Sequence, residues 1–548
     1  MPEAVSWIAR DHPHAETTFP HLRQTLTSAD LESASTRFAH GLIGEGIRPG
    51  EVVGLLLPIG AELLVALLGS IRAGAVATVL PVGTADARAN ARRLLPLVQA
   101  CDMRAVVCAD RYAAVAGELA GLRPGLQVAP ASVNRPGAGG LPRVGDGDLA
   151  VVQYTSGSTM APRGVMLTHR NVLAGLAAIA ASAEMTPADV WVQWTPPYHD
   201  LGLFGMLTSV LNGGTTYATA PREFIRHPEN FLRLIAETGG TLSTGPNFSY
   251  DLLIGAAAGR ELDLSSWRLA FNGGEPISPV TVENFAKAFA PAGVAPSVMY
   301  PVYGMAESTL AISFPPPGSV PRTSWVDRER LGTKGVVHVV DRSDRSAVGL
   351  VCVGRPVSGM QVRIVAEGSE CPAGRLGEIQ LRGPAVTTGY YRNGDATAEL
   401  FDDGWLRTGD LGFRLDGDLY VGGRTKEMVI VHGCNYFPTD AEQLASRVPG
   451  VYHGHVVAFA DNAVGDGERI GLIAETELPE NQHPLLINRI RDHVAAGIGT
   501  ARIAVHPVPP HFLTRSTSGK WQRLAAAERL AAHRRSADPH CEVRRHET

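Results

Sequence analysis

The sequence predicts an α/β protein with a large N-terminal domain of parallel sheets and packed helices, a small β-barrel-like subdomain, and a small C-terminal α/β domain. Three observations predict this class. Short strands that are apolar throughout alternate with helices from about residue 25 to 275, which is typical of parallel sheets covered by helices. Between residues 360 and 384, strands with period two flank a glycine turn, as in an antiparallel sheet. A second α/β alternation begins after residue 427.

The N-terminal alternation begins with the helical spacing of "SADLESASTRFAHGLIGEGI" and the continuously apolar strand "EVVGLLLP". The helix "GAELLVALLGSIRAG" and the strand "AVATVLP" repeat the pattern. Further strands are predicted at "RAVVCA", "DLAVVQYTSG", "TTYATA", "GGTLSTG" and "RLAFNGGEP". These strands form the predicted parallel sheets.

The amino-acid composition changes in the second part of the chain. The stretch from Leu310 to Val351 is rich in proline, glycine and charge, and we expect surface-lying inserted or connecting structure. "MQVRIVAEGSECPAGRLGEIQLRGP" predicts the antiparallel strands, and "GVYHGHVVAFA", "RIGLIAETEL" and "LLINRIRDHVAAGI" predict the C-terminal α/β unit. The predicted domains are 1–422 and 427–548, with a hinge near 423–426.

Composition restricts the function classes. A formal charge of -5 over 548 residues provides no basic field for nucleic acid. The six cysteines are scattered without CxxC pairs, as expected of reduced thiols in a cytoplasmic protein. No signal peptide is evident at the N-terminus, and Arg72 and several glycines interrupt the most apolar stretch, so we expect a soluble protein without a membrane span.

The stretch "YTSGSTMAPRGVMLTH", from Tyr154 to His169, concentrates hydroxyls and glycine between a predicted strand and a predicted helix. Such a loop offers closely spaced backbone N–H groups and hydroxyls to phosphate oxygens. Its spacing is not the GxxxxGK[ST] of P-loop proteins. Taken alone, such a stretch is more often a solvated Ser/Thr-rich turn than a phosphate-binding loop.

Six further motifs follow in order. They are "PPYHDLGL", "FNGGEP", "YGMAEST", "GWLRTGDLG", "GRTKEMVIVHGCNYFPTDAE" and "TSGK". Together with the Ser/Thr loop they resemble the adenylate-forming superfamily of acyl-CoA synthetases, adenylation domains and luciferases. Ala306 in "YGMAEST", the segment "GPNFSYDLL" and an extra stretch from Ser324 to Val340 are most similar to the fatty acyl-AMP ligase branch.

The resemblance implies roles for particular residues in binding the nucleotide. The residues expected around the phosphates and nucleotide are Thr155, Ser156, Gly157, Ser158, Thr159 and Arg163. Glu307 would hold Mg²⁺, which favours carboxylate and phosphate oxygens. Tyr303 would stack on adenine, with Gly274, Glu275 and Pro276 lining the base. A core tyrosine is the alternative for Tyr303.

Further roles concern the ribose, the acid and the moving domain. Asp410 would accept the ribose hydroxyls, with an Asx turn as the alternative, and Arg424 would reach the ribose or phosphate. His199 would lie near the acyl carboxylate, unless it is a core histidine. Lys520 would pair with that carboxylate and the α-phosphate. Lys426 would be the hinge about which a mobile C-terminal domain rotates between two half-reactions.

Two residues depart from the common superfamily pattern, which has glycine at the position of Met160 and lysine at that of Arg163. Met160 adds bulk and removes backbone freedom beside the triphosphate, and Arg163 offers a planar fork instead of an ammonium. Both changes fit the fatty acyl-AMP ligase branch. They also fit an enzyme that adenylates slowly or only processes an adenylate made elsewhere.

The expected function is therefore ATP- and Mg²⁺-dependent activation of a small-molecule carboxylic acid, fatty or related, as acyl-AMP with release of pyrophosphate. The acyl group would then pass to the phosphopantetheine thiol of an acyl carrier protein. One alternative is an acyl-CoA ligase that uses free CoA, including a version limited to thioester formation. An alternative of another class is a non-catalytic module that binds an adenylate or a carrier protein.

Overall fold

The computed structural model describes residues 1–81, 83, 86–133, 140–155, 162–431, 434–461, 469–515 and 521–537. The chain divides into two compact units. The first unit comprises Met1–Arg322, Val351–Arg363 and Gln380–Thr408, and the second unit comprises Thr323–Leu350, Ile364–Ile379 and Gly409–Thr548. The domain boundary at residues 422 to 427 stays a prediction.

The helices of the described residues are α1 (Pro2–Asp11), α2 (Ser28–Gly44), α3 (Ala61–Arg72), α4 (Ala87–Ala100), α5 (Ala113–Leu122), α6 (His169–Ser182), α7 (Asp200–Leu211), α8 (Pro221–Arg226), α9 (Pro228–Thr238), α10 (Asn247–Ala257), α11 (Pro279–Phe289), α12 (Arg328–Lys334), α13 (Gly394–Leu400), α14 (Pro438–Ala445), α15 (His483–Ile498) and α16 (Arg523–Ala537). None of them is long and apolar enough to cross a membrane.

The strands of the described residues are β1 (Glu16–Phe19), β2 (Gln24–Thr27), β3 (Val52–Leu56), β4 (Val76–Val79), β5 (Ala105–Cys108), β6 (Gln127–Pro130), β7 (Leu149–Thr155), β8 (Arg163–Thr168), β9 (Val190–Gln193), β10 (Thr215–Ala218), β11 (Leu242–Gly245), β12 (Leu269–Asn272), β13 (Met299–Pro301), β14 (Tyr303–Gly304), β15 (Ala311–Phe314), β16 (Thr323–Asp327), β17 (Ala347–Val351), β18 (Arg355–Pro356), β19 (Gln361–Ala366), β20 (Ser369–Glu370), β21 (Gly377–Arg382), β22 (Phe401–Asp402), β23 (Trp405–Leu415), β24 (Asp418–Arg424), β25 (Val429–Val431), β26 (Cys434–Tyr436), β27 (Val456–Asp461), β28 (Arg469–Glu475) and β29 (Ile503–Val508).

The first unit contains two large sheets. One has the strand order β13-β12-β11-β9-β10-β1-β2 and is parallel except for the β1–β2 pair. The other has the order β6-β5-β3-β4-β7-β8 and is parallel except for the β7–β8 pair. Strands β3, β4 and β5 are buried at every position, as their continuous apolar runs predict. The predicted α/β class is confirmed.

The second unit has its own sheet and core. Strand β28 pairs antiparallel with β27 and parallel with β29. Helices α14 and α15 supply residues to a buried core that includes Ala441, Leu486 and Ile490. In the same unit β23 pairs antiparallel with β24 from Asp410 to Leu415. The predicted C-terminal strands and helix are confirmed.

The stretch from Leu310 to Val351 differs from its prediction as surface-lying connecting structure. It begins with β15, whose four residues are all buried. Ile312 and Phe314 lie inside the first unit, and β15 pairs with β14 and β18. The nearby prolines and charges hid this short strand, because four residues, of which three are apolar, carry little periodicity of their own.

Candidate active site

Four neighbouring parallel strands of the first large sheet end at one edge. Because the carboxyl ends of parallel strands share an edge, the segments that follow β9, β11, β12 and β13 lie together there. The sequence places His199 after β9, Gly274–Pro276 after β12, and Tyr303 and Glu307 after β13. The topology therefore brings these predicted site residues to a single sheet edge.

The turn after β12 is fixed by two features. Gly274 has φ +81°, a conformation that L side chains rarely adopt. Glu275 Oε1 accepts a hydrogen bond from the backbone N–H of Phe248 at 2.7 Å, in the first turn of α10. The carboxylate thus stabilises the start of that helix, while Gly274 and Pro276 are exposed.

Gly304, which lies between Tyr303 and Glu307 in the sequence, is the site of a close approach between two backbone segments. Tyr303 is half-buried and pairs with Ser313 of β15. A Cβ at Gly304 would lie 1.9 Å from the carbonyl oxygen of Leu310, so only glycine fits there. Glu307 follows in a 3-10 turn, and its side chain is 6% exposed.

The residue that ends this turn is strained. Thr309 has φ +64° although it is β-branched. Its hydroxyl donates to the carbonyl oxygens of Asn171 and Ala385, at 3.1 and 2.9 Å. Strained backbone of this kind persists only where its surroundings fix it, and it is frequent at functional sites.

Tyr390 joins two of the predicted site residues, although it belongs to none of the motifs in the sequence. Its hydroxyl donates a hydrogen bond to Glu307 Oε1 at 2.8 Å. The guanidinium of Arg163 lies over its ring, 5.2 Å from the centroid. Burial, together with the neighbouring Glu307 carboxylate, raises the pKa of the Tyr390 hydroxyl, so it stays protonated and remains a donor. A guanidinium over an aromatic face is attracted by the negative potential of the ring.

The Ser/Thr loop connects two antiparallel strands, which corrects the predicted strand-to-helix connection. β7 ends at Thr155, β8 begins at Arg163, and these two residues are cross-strand partners. Helix α6 begins only at His169. Residues 163–168 form a strand because they pair with β7 on one side and with residues 389–391 on the other, as the Tyr391 N–H to Gly164 carbonyl bond of 2.8 Å illustrates. The positive end of the α6 dipole is therefore separated from the loop by all of β8.

His199 is the N-cap residue of α7 and is half-buried. Its ring contacts Tyr198 edge-on, with 4.8 Å between centroids. The side-chain amide of Gln153 in β7 donates to the Tyr198 carbonyl at 2.8 Å. The histidine segment is thereby tied to the strand that leads into the Ser/Thr loop.

In the second unit, Asp410 and Arg424 are brought together. They are cross-strand partners in β23 and β24, and Arg424 Nε donates to Asp410 Oδ1 at 3.1 Å. Asp410 is 6% exposed and lies within a strand. Lys426 is exposed, in the 3-10 turn Thr425–Glu427 that follows β24.

Some predicted residues lie outside the described residues. These are the loop residues Ser156, Gly157, Ser158, Thr159 and Met160, and the C-terminal Lys520. Their roles stay predictions.

The residues around Glu307 fit an Mg²⁺ ion held mainly by its substrate. Among the described residues, no group of three or more His, Cys, Asp or Glu side chains could hold a metal ion. Mg²⁺ in nucleotide enzymes is commonly bound by one or two carboxylates plus phosphate oxygens. The single buried carboxylate of Glu307, oriented by Tyr390, suits that arrangement.

Comparison with known proteins supports the same interpretation. The sequence model for the family "AMP-binding enzyme" matches residues 5–391. A long-chain-fatty-acid–AMP ligase of Mycolicibacterium smegmatis is 30% identical, over 90% of this chain and 87% of that protein. A medium-chain-fatty-acid–[acyl-carrier-protein] ligase of Moorena producens is 32% identical, over 86% of this chain and 84% of that protein. A solved structure from a study of fatty acyl-adenylate ligases of E. coli and L. pneumophila has a TM-score of 0.89 and 30% identity, covering 98% of both chains.

Proposed function

The chain belongs to the AMP-binding enzyme family, and from that membership we propose that it activates a fatty or related carboxylic acid as an acyl adenylate. The acid's carboxylate attacks the α-phosphorus of ATP, acyl-AMP forms, and pyrophosphate leaves. The acyl group then passes to a phosphopantetheine thiol, and AMP is released.

The observation that carries this proposal is the meeting of four strand ends at one sheet edge, where the segments bearing His199, Gly274, Tyr303 and Glu307 lie together. Ligands of open α/β sheets bind at this kind of edge. The named relatives, which join a fatty acid to AMP or to a carrier protein, support the same chemistry.

The chemistry assigns a task to each group. Two anions must approach each other, so the site has to hold them in line and supply positive charge. Tyr303 would stack on adenine and Asp410 would accept ribose hydroxyls. Mg²⁺ at Glu307 would neutralise phosphate charge. Arg163 would provide a fixed positive charge. Lys520 would provide a second positive charge that approaches the reacting groups.

The acceptor is proposed to be the thiol of an acyl carrier protein. The carrier-protein ligase from Moorena producens supports this choice over free CoA. Incubating the protein with ATP and a panel of acids, with holo carrier protein or with CoA, and identifying the products by mass spectrometry tests it. A thioester formed only with CoA would contradict the proposed acceptor.

Lys520→Ala tests the first half-reaction. We expect at least a hundredfold lower rate of ATP-pyrophosphate exchange, because a charge placed where the transition state needs it contributes about 3 to 4 kcal/mol. The unmodified protein must catalyse the exchange. If it does not, yet it converts synthetic acyl-AMP to thioester, then the enzyme is limited to the second half-reaction.

A further inference from the structure

Arg523, at the start of α16, lies three residues after Lys520 and is 16% exposed. Its Nε and Nη2 donate to the two carboxylate oxygens of Glu442 at 2.7 and 2.8 Å. Its Nη1 donates to Glu427 Oε2 at 2.6 Å. Burial alone would lower the pKa of this guanidinium, but the two carboxylates raise it. We call Arg523, Glu442 and Glu427 the arginine hub.

Each carboxylate of the arginine hub belongs to a different part of the second unit. Glu442 lies on α14, and its Oε1 also accepts from the backbone N–H of Ala458 in β27 at 2.9 Å. Glu427 lies in the turn Thr425–Glu427, directly after Lys426. Arg523 therefore connects the start of α16 both to α14 and β27 and to the predicted hinge.

The chain that precedes the hub is held by a second contact. Arg515 and Trp521 form an isolated antiparallel bridge, and the Arg515 guanidinium lies 3.9 Å from the centroid of the Trp521 indole. The backbone N–H of Gln522 donates to the Thr514 carbonyl at 3.1 Å. Lys520 is covalently attached to Trp521, so the residue that follows the lysine is held by this bridge and lies two residues before Arg523 of the hub.

We propose that the arginine hub is a positioning device for Lys520. The hub couples the hinge turn to the helix that follows the lysine, so the conformation of the hinge governs where the lysine is presented. The inference rests on the proposed function, in which Lys520 acts during adenylate formation. Arg523 and Glu427 are positioning residues that touch no substrate.

Two variants change the hub without removing it. Glu427→Gln keeps an oxygen acceptor for Arg523 but removes the charge. Arg523→Lys keeps the charge but loses the fork that binds two carboxylates at once. The matched control is Glu528→Gln, which makes the same charge change on the exposed side of α16.

The measurements separate the two half-reactions. We expect both hub variants to lower kcat for acyl-adenylate formation about ten- to hundredfold, since small misplacements of a catalytic group cost that much. The KM for ATP should change less than about threefold. Thioester formation from synthetic acyl-AMP should keep its rate, because Lys520 has no part in it, and Glu528→Gln should match the unmodified protein.

Equal losses in both half-reactions, or losses that follow a lowered melting temperature, would assign the hub to stability alone and overturn the inference. Unchanged adenylation in Glu427→Gln would overturn it as well. Lys520→Ala, measured in parallel, distinguishes a failure of the lysine's proposed function from a failure of the positioning inference. If it keeps full adenylation, the proposed role of the lysine fails. If it is inactive while the hub variants are normal, only the positioning inference fails.

Discussion

At the scale of single residues, the hydroxyl of Tyr390 fixes the carboxylate expected to bind Mg²⁺. Glu307 is buried, and a buried carboxylate is costly unless hydrogen bonds satisfy it. The 2.8 Å bond from Tyr390 supplies one such contact. Arg163, on the face of the same ring, connects the end of the Ser/Thr loop to this pair.

Replacing Tyr390 with Phe should therefore impair the metal-dependent step. A hydrogen bond to a charged group contributes about 1.5 to 3 kcal/mol, so we expect kcat/KM for adenylation to fall about ten- to hundredfold. The Mg²⁺ concentration at half-maximal rate should rise, which pyrophosphate release at a series of Mg²⁺ concentrations would measure. Tyr391→Phe is the control. An unaltered Mg²⁺ dependence in Tyr390→Phe would show that the hydroxyl does not orient the ligand.

At the scale of elements, the extra segment from Ser324 to Val340 forms most of β16 and all of α12. Helix α12 begins at Arg328, and Asp327 caps it by accepting from the Arg330 N–H at 2.8 Å. Arg328 Nε lies 3.4 Å from Asp440 Oδ2 in α14, and its Nη1 donates to the Gly497 carbonyl in α15. One largely buried side chain thus ties the segment to two helices of the second unit.

Arg328→Ala should destabilise the second unit by about 3 to 5 kcal/mol, because it leaves a buried carboxylate without its cation. Burial raises the pKa of Asp440 and Arg328 opposes that shift, so the substitution raises the pKa further. Thermal and urea unfolding would measure the loss. Adding Asp440→Asn should restore part of the stability, and the exposed Arg330→Ala should cost little. No recovery in the double variant would argue against an ion-pair origin.

At the scale of the whole molecule, the buried His169 and the largely buried His506 oppose folding in acid. His169, at the start of α6, has no hydrogen-bond partner for either ring nitrogen among the described residues, and burial lowers its pKa to about 4. Burial, with help from Arg534, lowers the pKa of His506 in β29 to about 4 against the opposing effect of Asp461. One histidine belongs to each unit.

Stability should consequently fall as the pH drops from about 6.5 to about 4. In that window the unfolded chain binds protons that the folded units exclude, so stability is complete above the unfolded pKa of 6.5. Each histidine accounts for about 3 kcal/mol over the window. Melting temperatures at a series of pH values should show the fall, and His169→Gln should flatten it while the exposed His14→Gln should not. A melting temperature that stays constant from pH 7 to pH 5 would contradict the assignment.

The sequence by itself determined the fold class, the family and the order of the site motifs. Strands such as β3 and β4 were predictable because burial on both faces leaves a continuous apolar run, and amphipathic helices such as α2 were predictable because burial on one face leaves a local period. Gly304 and Gly274 were predictable parts of motifs because close approach or positive φ excludes other residues. Strand β8 was not predicted, since one of the two segments that pair with it, residues 389–391, lies far along the chain from β8 and its neighbour β7.

Only the tertiary structure decided which side chains meet. Tyr390 lies 83 residues from Glu307, and Arg523 lies 96 residues from Glu427. No spacing in the sequence encodes either contact, because the intervening chain can follow many paths between its ends. The packing of sheets and helices selects one path, and a hydrogen bond forms only where that path brings donor and acceptor within about 3 Å.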